Sequence, residues 1–491
     1  MTALKKIPFF LVLLSVFFCL HGAVENFGFV SFSEVFFVGI SMLVVMALLF
    51  LISWFFTRKT LFASLITIFI SVWYFFFGAI HDFIKGVSLV SFLKPYTIIL
   101  PFLFAITLLW IIFLKKKPGN WQKLTLYLNI LLLIYSLLDV VKLSTKAMQP
   151  SKTPMSVKFD YDKVTNKPNV YFLLFDGYPG QKTLSDSFNF NNNELNNFLV
   201  QHQFVQLPIQ SNYDYTLYSM SSMFNLQYVN NTYKVNKETQ IDGQMRQQEI
   251  KEGAIFNIFQ KMGYTILNHS VFDIKELPGL SDENSFLLGH SILLTNKILI
   301  NRIRKDLTFL FTDDQIKYVP FLKNQSVFID RNNNLKAEKL VVSSAERKTN
   351  KPIFCYAHLL LPHAPYFFDS TGKNTDYKKM TDIDVVLNKQ NFISYLKYTN
   401  SVAKNIITAI RQKDSTAVVI FLSDHGVRTF PRKPYMQPGN FDNVCYLYLP
   451  DNHYKATAPT FTNVNIFRYL FNVEFNQQMP LLKDTSFTYI P

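Results

Sequence analysis

Cysteine is nearly missing from this chain: there are three in 491 residues, Cys19, Cys355 and Cys445. They form no Cys-x-x-Cys pair and no spaced set, which excludes a disulfide framework or a cysteine-built zinc site. Cys19 falls in an apolar membrane segment. Cys355 and Cys445 fall in strand-like runs, so two buried thiols are expected rather than one bridge. Internal repeats and low-complexity tracts are absent, and no basic motif of a nucleic-acid reader occurs. The net charge of +15 therefore reads as Lys and Arg flanking membrane helices and facing anionic headgroups. Charge is also scarce at mid-depth of the first 142 residues. Intramembrane charges mark transport pathways, so their scarcity argues against a transporter or pump.

What the chain does have is apolar and aromatic bulk: 49% hydrophobic residues and 50 Phe. The long apolar runs crowd into residues 1–142, expected as a transmembrane domain. Five segments there, at 7–24, 34–56, 61–80, 96–114 and 124–141, approach or reach the ~20 residues that span a hydrocarbon core. Lys5–Lys6, Arg58–Lys59 and Lys115–Lys117 flank them in alternate loops, which puts all three clusters on the cytoplasmic side. An odd number of spans places the rest of the chain outside. The first segment has the shape of a signal peptide, but no A-x-A-like site follows it, and it reads as an uncleaved anchor. Pro101 is expected to kink the fourth span.

Residues 143–168 read as a polar, proline-containing linker, and residues 169–491 as a globular domain. Strands are expected at 169–175, 204–209, 264–267, 352–361, 417–422 and 443–449. Helices are expected at 192–202, 254–262, 393–411 and 464–475. Alternating strands and helices predict an α/β fold with a mostly parallel sheet covered on both faces. The charged, Asn-rich stretch 312–340 reads as an insertion or lid.

Two strands end on a carboxylate. Residues 169–175 lead into Asp176, and 417–422 lead through Ser423 into Asp424, His425 and Gly426. Sites in open α/β sheets lie beyond the carboxyl ends of the strands, so Asp176, Asp424 and His425 form a candidate metal set. Thr216 precedes an expected helix and follows a strand, which puts it at a helix N-terminus, where free N–H groups hold anions. Taken alone it is a capping residue. A threonine hydroxyl needs a base or a metal to act as a nucleophile.

The run Thr216-Leu217-Tyr218-Ser219-Met220-Ser221-Ser222-Met223-Phe224 resembles the nucleophile segment of lipid A phosphoethanolamine transferases. Together with Asp176 and Ser423-Asp424-His425-Gly426, it is similar in order and spacing to the alkaline phosphatase/sulfatase superfamily. Five membrane helices before an outer domain is also the layout of those transferases and of lipoteichoic acid synthases. The resemblance implies an alkaline-phosphatase-like α/β/α domain with one divalent ion held by Asp176, Thr216, Asp424 and His425. Zinc is the first choice, with manganese or magnesium as alternatives. It further implies Thr216 as the nucleophile that carries a phosphoryl group, and His363, in Pro362-His363-Ala364-Pro365, as a residue touching that group.

His358, Arg428, Asn212 and His269 are weaker substrate-binding candidates. As single residues, His358 and His363 are satisfied loop histidines, Arg428 an exposed cation, Asn212 and Tyr213 turn formers, and His269 a polar rim histidine. Asp214 is expected to be exposed. This chain has Asp176 where the transferases usually carry Glu, and it lacks the Cys-x-Pro-Ser-Arg signature of sulfatases. Transfer and hydrolysis therefore both stand open. The transfer reading implies a phospholipid donor and an envelope glycan or lipid acceptor, with the domain a monomer outside a plasma membrane. A hydrolase on the same site and a non-catalytic envelope scaffold are the alternatives.

Overall fold

A computed structural model describes residues 2–27, 30–148, 158–229, 240–280, 291–307, 326–347, 349–376, 383–428, 438–454 and 461–487. The chain divides into two units: residues 1–150 with 284–311, and residues 151–283 with 312–491. The return of 284–311 to the first unit has no counterpart in the sequence reading.

The first unit is helical. Among the described residues, four helices are long and apolar enough to cross a membrane: Phe32–Thr57, Thr60–Gly86, Tyr96–Lys116 and the stretch Pro118–Met148. The first expected span forms the shorter helix Phe10–Glu25, of 16 residues. The helix Tyr96–Lys116 continues through Pro101. The break in helical backbone falls instead at Phe76 in Thr60–Gly86 (φ −107°, ψ 16°).

That break sits beside the returning segment. Gly78 N donates to Lys297 O at 2.7 Å, and a Cβ on Gly78 would lie 2.8 Å from Lys297 Cα. Gly22 likewise leaves room for Leu294. Ion pairs join Lys297 to Glu25 (3.1 Å) and Arg302 to Asp82, and Tyr96 Oη donates to Asp306 at 2.7 Å. These contacts lie at the ends of the helices opposite to Lys5–Lys6, Arg58–Lys59 and Lys115–Lys117.

The second unit is built on a six-stranded sheet. Its strands are β1 Val170–Phe175, β2 Val205–Gln206, β4 Thr265–His269, β5 Ile353–Leu359, β6 Val418–Leu422 and β7 Cys445–Tyr448, in the order β2-β7-β6-β1-β5-β4. β1, β4, β5 and β6 run parallel, and β7 and β2 add an antiparallel edge. β1 is central because it is apolar on both faces, as a doubly covered parallel strand must be. Val170, Phe172 and Leu174 enter one core, with the helices Thr216–Phe224, Ala254–Lys261 and Ile466–Glu474. Tyr171, Leu173 and Phe175 enter the other, with Ser326–Ala345 and Lys389–Lys413.

Two expectations change. The single strand at 204–209 splits, because Pro208 has no N–H to give a ladder. β2 joins the main sheet, while β3 (Ile209–Gln210) pairs with β8 (Phe461–Thr462) in a small second sheet. The stretch 312–340 supplies no lid among its described residues. From Ser326 to Ala345 it is a helix that buries Ala337, Val341 and Ala345 at i, i+4, i+8 on the sheet, and residues 312–325 lie outside the described residues.

Candidate metal and active site

Register brings the two carboxylates together. β1 and β6 pair Leu174 with Leu422, so Asp176 and Asp424, each two residues on, leave the sheet at the same level. Asp424 is held hard. Its carbonyl accepts from Ser211 Oγ (2.8 Å), Ser219 Oγ (2.7 Å) and Asn463 Nδ2 (2.8 Å). Its Oδ1 accepts from Gly177 N (3.1 Å) and His425 N (3.0 Å). Gly177 makes this possible with φ +68°, a conformation that a Cβ disfavours.

His425 is oriented by its own backbone. Nδ1 lies 2.7 Å from Gly426 O, which can only accept, so Nδ1 carries the proton and Nε2 presents a lone pair. Burial pushes the imidazole below its ordinary pKa and favours this neutral form. Three oxygens surround Nε2: Thr216 Oγ1 at 3.2 Å, Asp424 Oδ2 at 3.4 Å and Asp176 Oδ1 at 3.7 Å. Ligand atoms of Asp176, Asp424 and His425 all lie within 4.8 Å of one another.

This donor set fits a divalent cation on two grounds. Among the described residues, Asp176 Oδ1 and Asp424 Oδ2 are buried without a hydrogen-bond partner, and buried carboxylate oxygens are otherwise paired or metal-bound. A tetrahedron of ~2.1 Å bonds has edges of about 3.4 Å, which the separations around Nε2 bracket. Burial works to raise the Asp176 carboxyl, but the influence of His363, a hydrogen bond from His358 and the neighbouring His425 ring outweigh it and hold it well below the usual carboxylate range.

Thr216 opens the helix Thr216–Phe224, with Tyr215 as an extended N-cap, so free backbone N–H groups converge beside its hydroxyl. In front lies a cavity of about 140 Å³, lined by Gly177, His363, Phe392, His425, Val427 and Arg428. His363 Nδ1 is 2.6 Å from Ala364 O and is therefore the protonated nitrogen. The Arg428 guanidinium rests over the Tyr215 ring, 5.1 Å from its centroid.

Of the other sequence candidates, His358 sits fully buried behind Asp176, its Nε2 3.5 Å from Oδ2 and its Nδ1 3.1 Å from Tyr356 Oη. Asn212 is spent on packing. Its Nδ2 donates to Thr485 O and Tyr228 Oη, and its Oδ1 accepts from Val464 N, so it braces the turn before Thr216. His269, at the end of β4, is buried against Ser344 Oγ at 2.9 Å. Burial lowers its pKa to about 4. Neither Asn212 nor His269 lines the cavity. Asp214 is buried rather than exposed. Asn440 Nδ2 donates to it at 3.3 Å, and burial raises its carboxyl against the opposing influence of Asn440, Arg428 and His425.

One acid was not legible in sequence. Asp330, on the helix Ser326–Ala345, has its pKa raised to about 6 by burial, while His363 lowers it and Asp176 raises it further. Its stretch, Asp330-Arg331-Asn332-Asn333-Asn334, offers only a polar run without helical period.

Residues 301–463 match the family model described as Sulfatase. That stretch includes His358, His363, Asp424 and His425 and leaves Asp176 and Thr216 outside it. No curated protein matches the chain. Solved structures similar to it include the C-terminal periplasmic domain of EptC from Escherichia coli in complex with Zn (12% identity, TM-score 0.38, covering 66% of this chain and 86% of that one). The corresponding domain of the phosphoethanolamine transferase EptC from Campylobacter jejuni is similar too (14%, TM-score 0.36, 64% and 92%). So is a glycosaminoglycan-metabolism protein of Bacteroides thetaiotaomicron (14%, TM-score 0.38, 62% and 72%). Residues 301–463 of the chain are thus similar to the sulfatase family.

Proposed function

We propose that this protein is a membrane-anchored, metal-dependent transferase, moving a phospho-head group of phosphoethanolamine or phosphoglycerol type from a phospholipid to an envelope glycan or lipid. The observation that carries the reading is the Thr216 hydroxyl beside His425 Nε2 and two orphaned carboxylate oxygens, at a helix N-terminus. The apolar helices of the first unit would keep the site within reach of a leaflet.

Asp176, Thr216, Asp424 and His425 would hold the cation, with zinc as our choice for this mixed nitrogen and oxygen set. When bound, it would supply positive charge to offset the carboxylates and to acidify the Thr216 hydroxyl. Thr216 Oγ, its hydroxyl proton released to solvent, then attacks phosphorus. The bond from phosphorus to the lipid oxygen breaks, and that oxygen leaves with a proton delivered by His363. The head group stays on Thr216 as a phosphodiester. In the second half, an acceptor hydroxyl attacks the same phosphorus, gives its proton to His363, and Thr216 Oγ is released. The free N–H groups of the Thr216 helix and the Arg428 guanidinium would hold the phosphoryl oxygens through both halves. His358 would steady Asp176. The site would face the periplasm or cell exterior.

The decisive measurement is intact-protein mass after incubation with phospholipid vesicles. A head-group adduct in the native protein, lost in Thr216→Ala, supports the reading; an adduct that persists in Thr216→Ala would end it.

The sulfatase match favours a second reading, in which water replaces the acceptor and the protein hydrolyses phosphate or sulfate esters. Turnover of a nitrophenyl phosphodiester against nitrophenyl sulfate, with and without an acceptor hydroxyl, separates the two.

A further inference from the structure

We propose that Tyr356 is a positioning residue of the metal site: its hydroxyl fixes the tautomer of His358, and His358 in turn holds the Asp176 carboxylate with one oxygen turned to the cation. The inference rests on the metal reading above.

The arrangement follows from strand register. Side chains two apart on a strand share a face. Leu174 on β1, Tyr356 on β5 and Leu422 on β6 all enter one core. Two residues beyond them come Asp176, His358 and Asp424. The β1–β5 ladder runs on past the end of β1, because Asp176 N donates to Leu359 O at 3.0 Å. Since β1 lies between β5 and β6, Asp176 stands between His358 and Asp424.

The contacts match that register. His358 Nε2 faces Asp176 Oδ2 at 3.5 Å, and His358 Nδ1 lies 3.1 Å from Tyr356 Oη. Asp176 Oδ1 turns the other way, 3.7 Å from His425 Nε2. Tyr356, His358 and Asp176 are 0%, 1% and 3% exposed, so bulk water does not stand in for a lost partner.

A carboxylate only accepts, so the His358 proton belongs on Nε2. Nδ1 then carries a lone pair, and the phenol donates to it. Burial raises the Tyr356 phenol well above its ordinary pKa and keeps that proton in place. Ser270 is the other hydrogen-bonding neighbour of Oη. Without the phenol hydroxyl, the ring loses what ties it to the tautomer that serves Asp176. The carboxylate can then rotate and carry Oδ1 off the cation position. Asp424 is secured differently, by the backbone N–H groups of Gly177 and His425 on its Oδ1. For Asp176 the same task falls to side chains, the usual way in which outer groups orient a ligand.

The test is the zinc affinity of the full-length protein in detergent, read by competition with a chromophoric chelator, with thermal melts in chelator alongside. Tyr356→Phe removes one oxygen from a ring that packs against Phe172 and Phe224. It should weaken zinc binding by about 10–100-fold. Tyr264→Phe is the control. It loses a buried hydrogen bond to Pro168 O (2.7 Å) in the same core, and should lower the melting temperature while leaving zinc affinity unchanged. His358→Gln keeps an N–H for Asp176 whatever Tyr356 does, so adding Tyr356→Phe to it should cost no further affinity. Unchanged zinc affinity in Tyr356→Phe overturns the inference. So does an equal loss in the native and His358→Gln backgrounds. Both results leave the metal reading standing. A native protein that binds neither zinc nor manganese removes the metal reading and this inference with it.

Discussion

Thr216 Oγ1 stands 3.2 Å from His425 Nε2, across 209 residues of chain. Because His425 Nδ1 is bound to Gly426 O, Nε2 has only a lone pair to offer, and the hydroxyl donates to it. A cation with ligands on both groups would take the place of that proton. The same nitrogen faces Asp176 and Asp424, so one position in space is bounded by every donor the site possesses.

Thr216→Ala should lower turnover of a nitrophenyl phosphodiester by about 10³-fold or more while leaving three metal ligands in place. Thr216→Ser, which keeps the hydroxyl, should retain a measurable part. Steady-state kinetics and metal analysis on the same preparations check this. An alanine variant with near-native kcat would exclude a threonine nucleophile.

Metal removal should destabilise the second unit, because Asp176 and Asp424 are then two buried carboxylates facing each other uncompensated. Stabilisation by a saturating ligand at 100 times its Kd is about 2.7 kcal/mol. Melting with chelator, then with zinc or manganese restored, should show a reversible shift. Asp424→Asn should abolish that shift. A native protein that melts identically in chelator argues against a resident cation.

Gly426→Ala should disrupt the site. A Cβ there would collide with the Gly439 carbonyl and lie 2.7 Å from Asp442 O, and both are backbone atoms that cannot swing aside. A cost of about 2 kcal/mol or more is expected, in the range for overpacking. Loss of bound metal should accompany the drop in melting temperature.

Gly78→Ala should loosen the first unit, since its Cβ would lie 2.8 Å from Lys297 Cα and oppose the Gly78 N–H···O=C Lys297 hydrogen bond. About 1–3 kcal/mol is expected. Limited proteolysis within 284–311 should become faster than in the native protein, and an unchanged cleavage rate would show that the segment is not held there.

Acid should weaken the fold through His269. Its pKa falls from 6.5 to about 4 on burial, so the unfolded chain takes up a proton at a pH where the folded one does not. The stability belonging to neutral His269 is full above 6.5 and is lost as pH falls toward 4, on the order of 3 kcal/mol in total. His269→Gln should flatten the pH dependence of urea midpoints across that window. A slope equal to the native one would mean that His269 contributes none of it.

The sequence alone determined what depends on local composition. Apolar runs marked the helices Phe32–Thr57 to Trp121–Met148, and short apolar runs, β-branched in β6, marked β1 and β6, because burial in lipid or in a doubly covered sheet leaves no polar positions. The same runs pointed to Asp176, Asp424 and His425, since a strand that ends on a ligand delivers it to one rim. Tertiary structure decided what depends on partners far along the chain. Asn212 carries a binding-like side chain, yet three groups from the chain's end and middle consume it. Asp214 and Asp330 look like surface charges until the helix and loop around them remove the water. The return of 284–311 to the membrane helices rests on two glycines, Gly22 and Gly78, whose missing Cβ matters only when another backbone arrives. Local pattern reports how much a residue wants to be buried, and only the assembled fold decides what it is buried against.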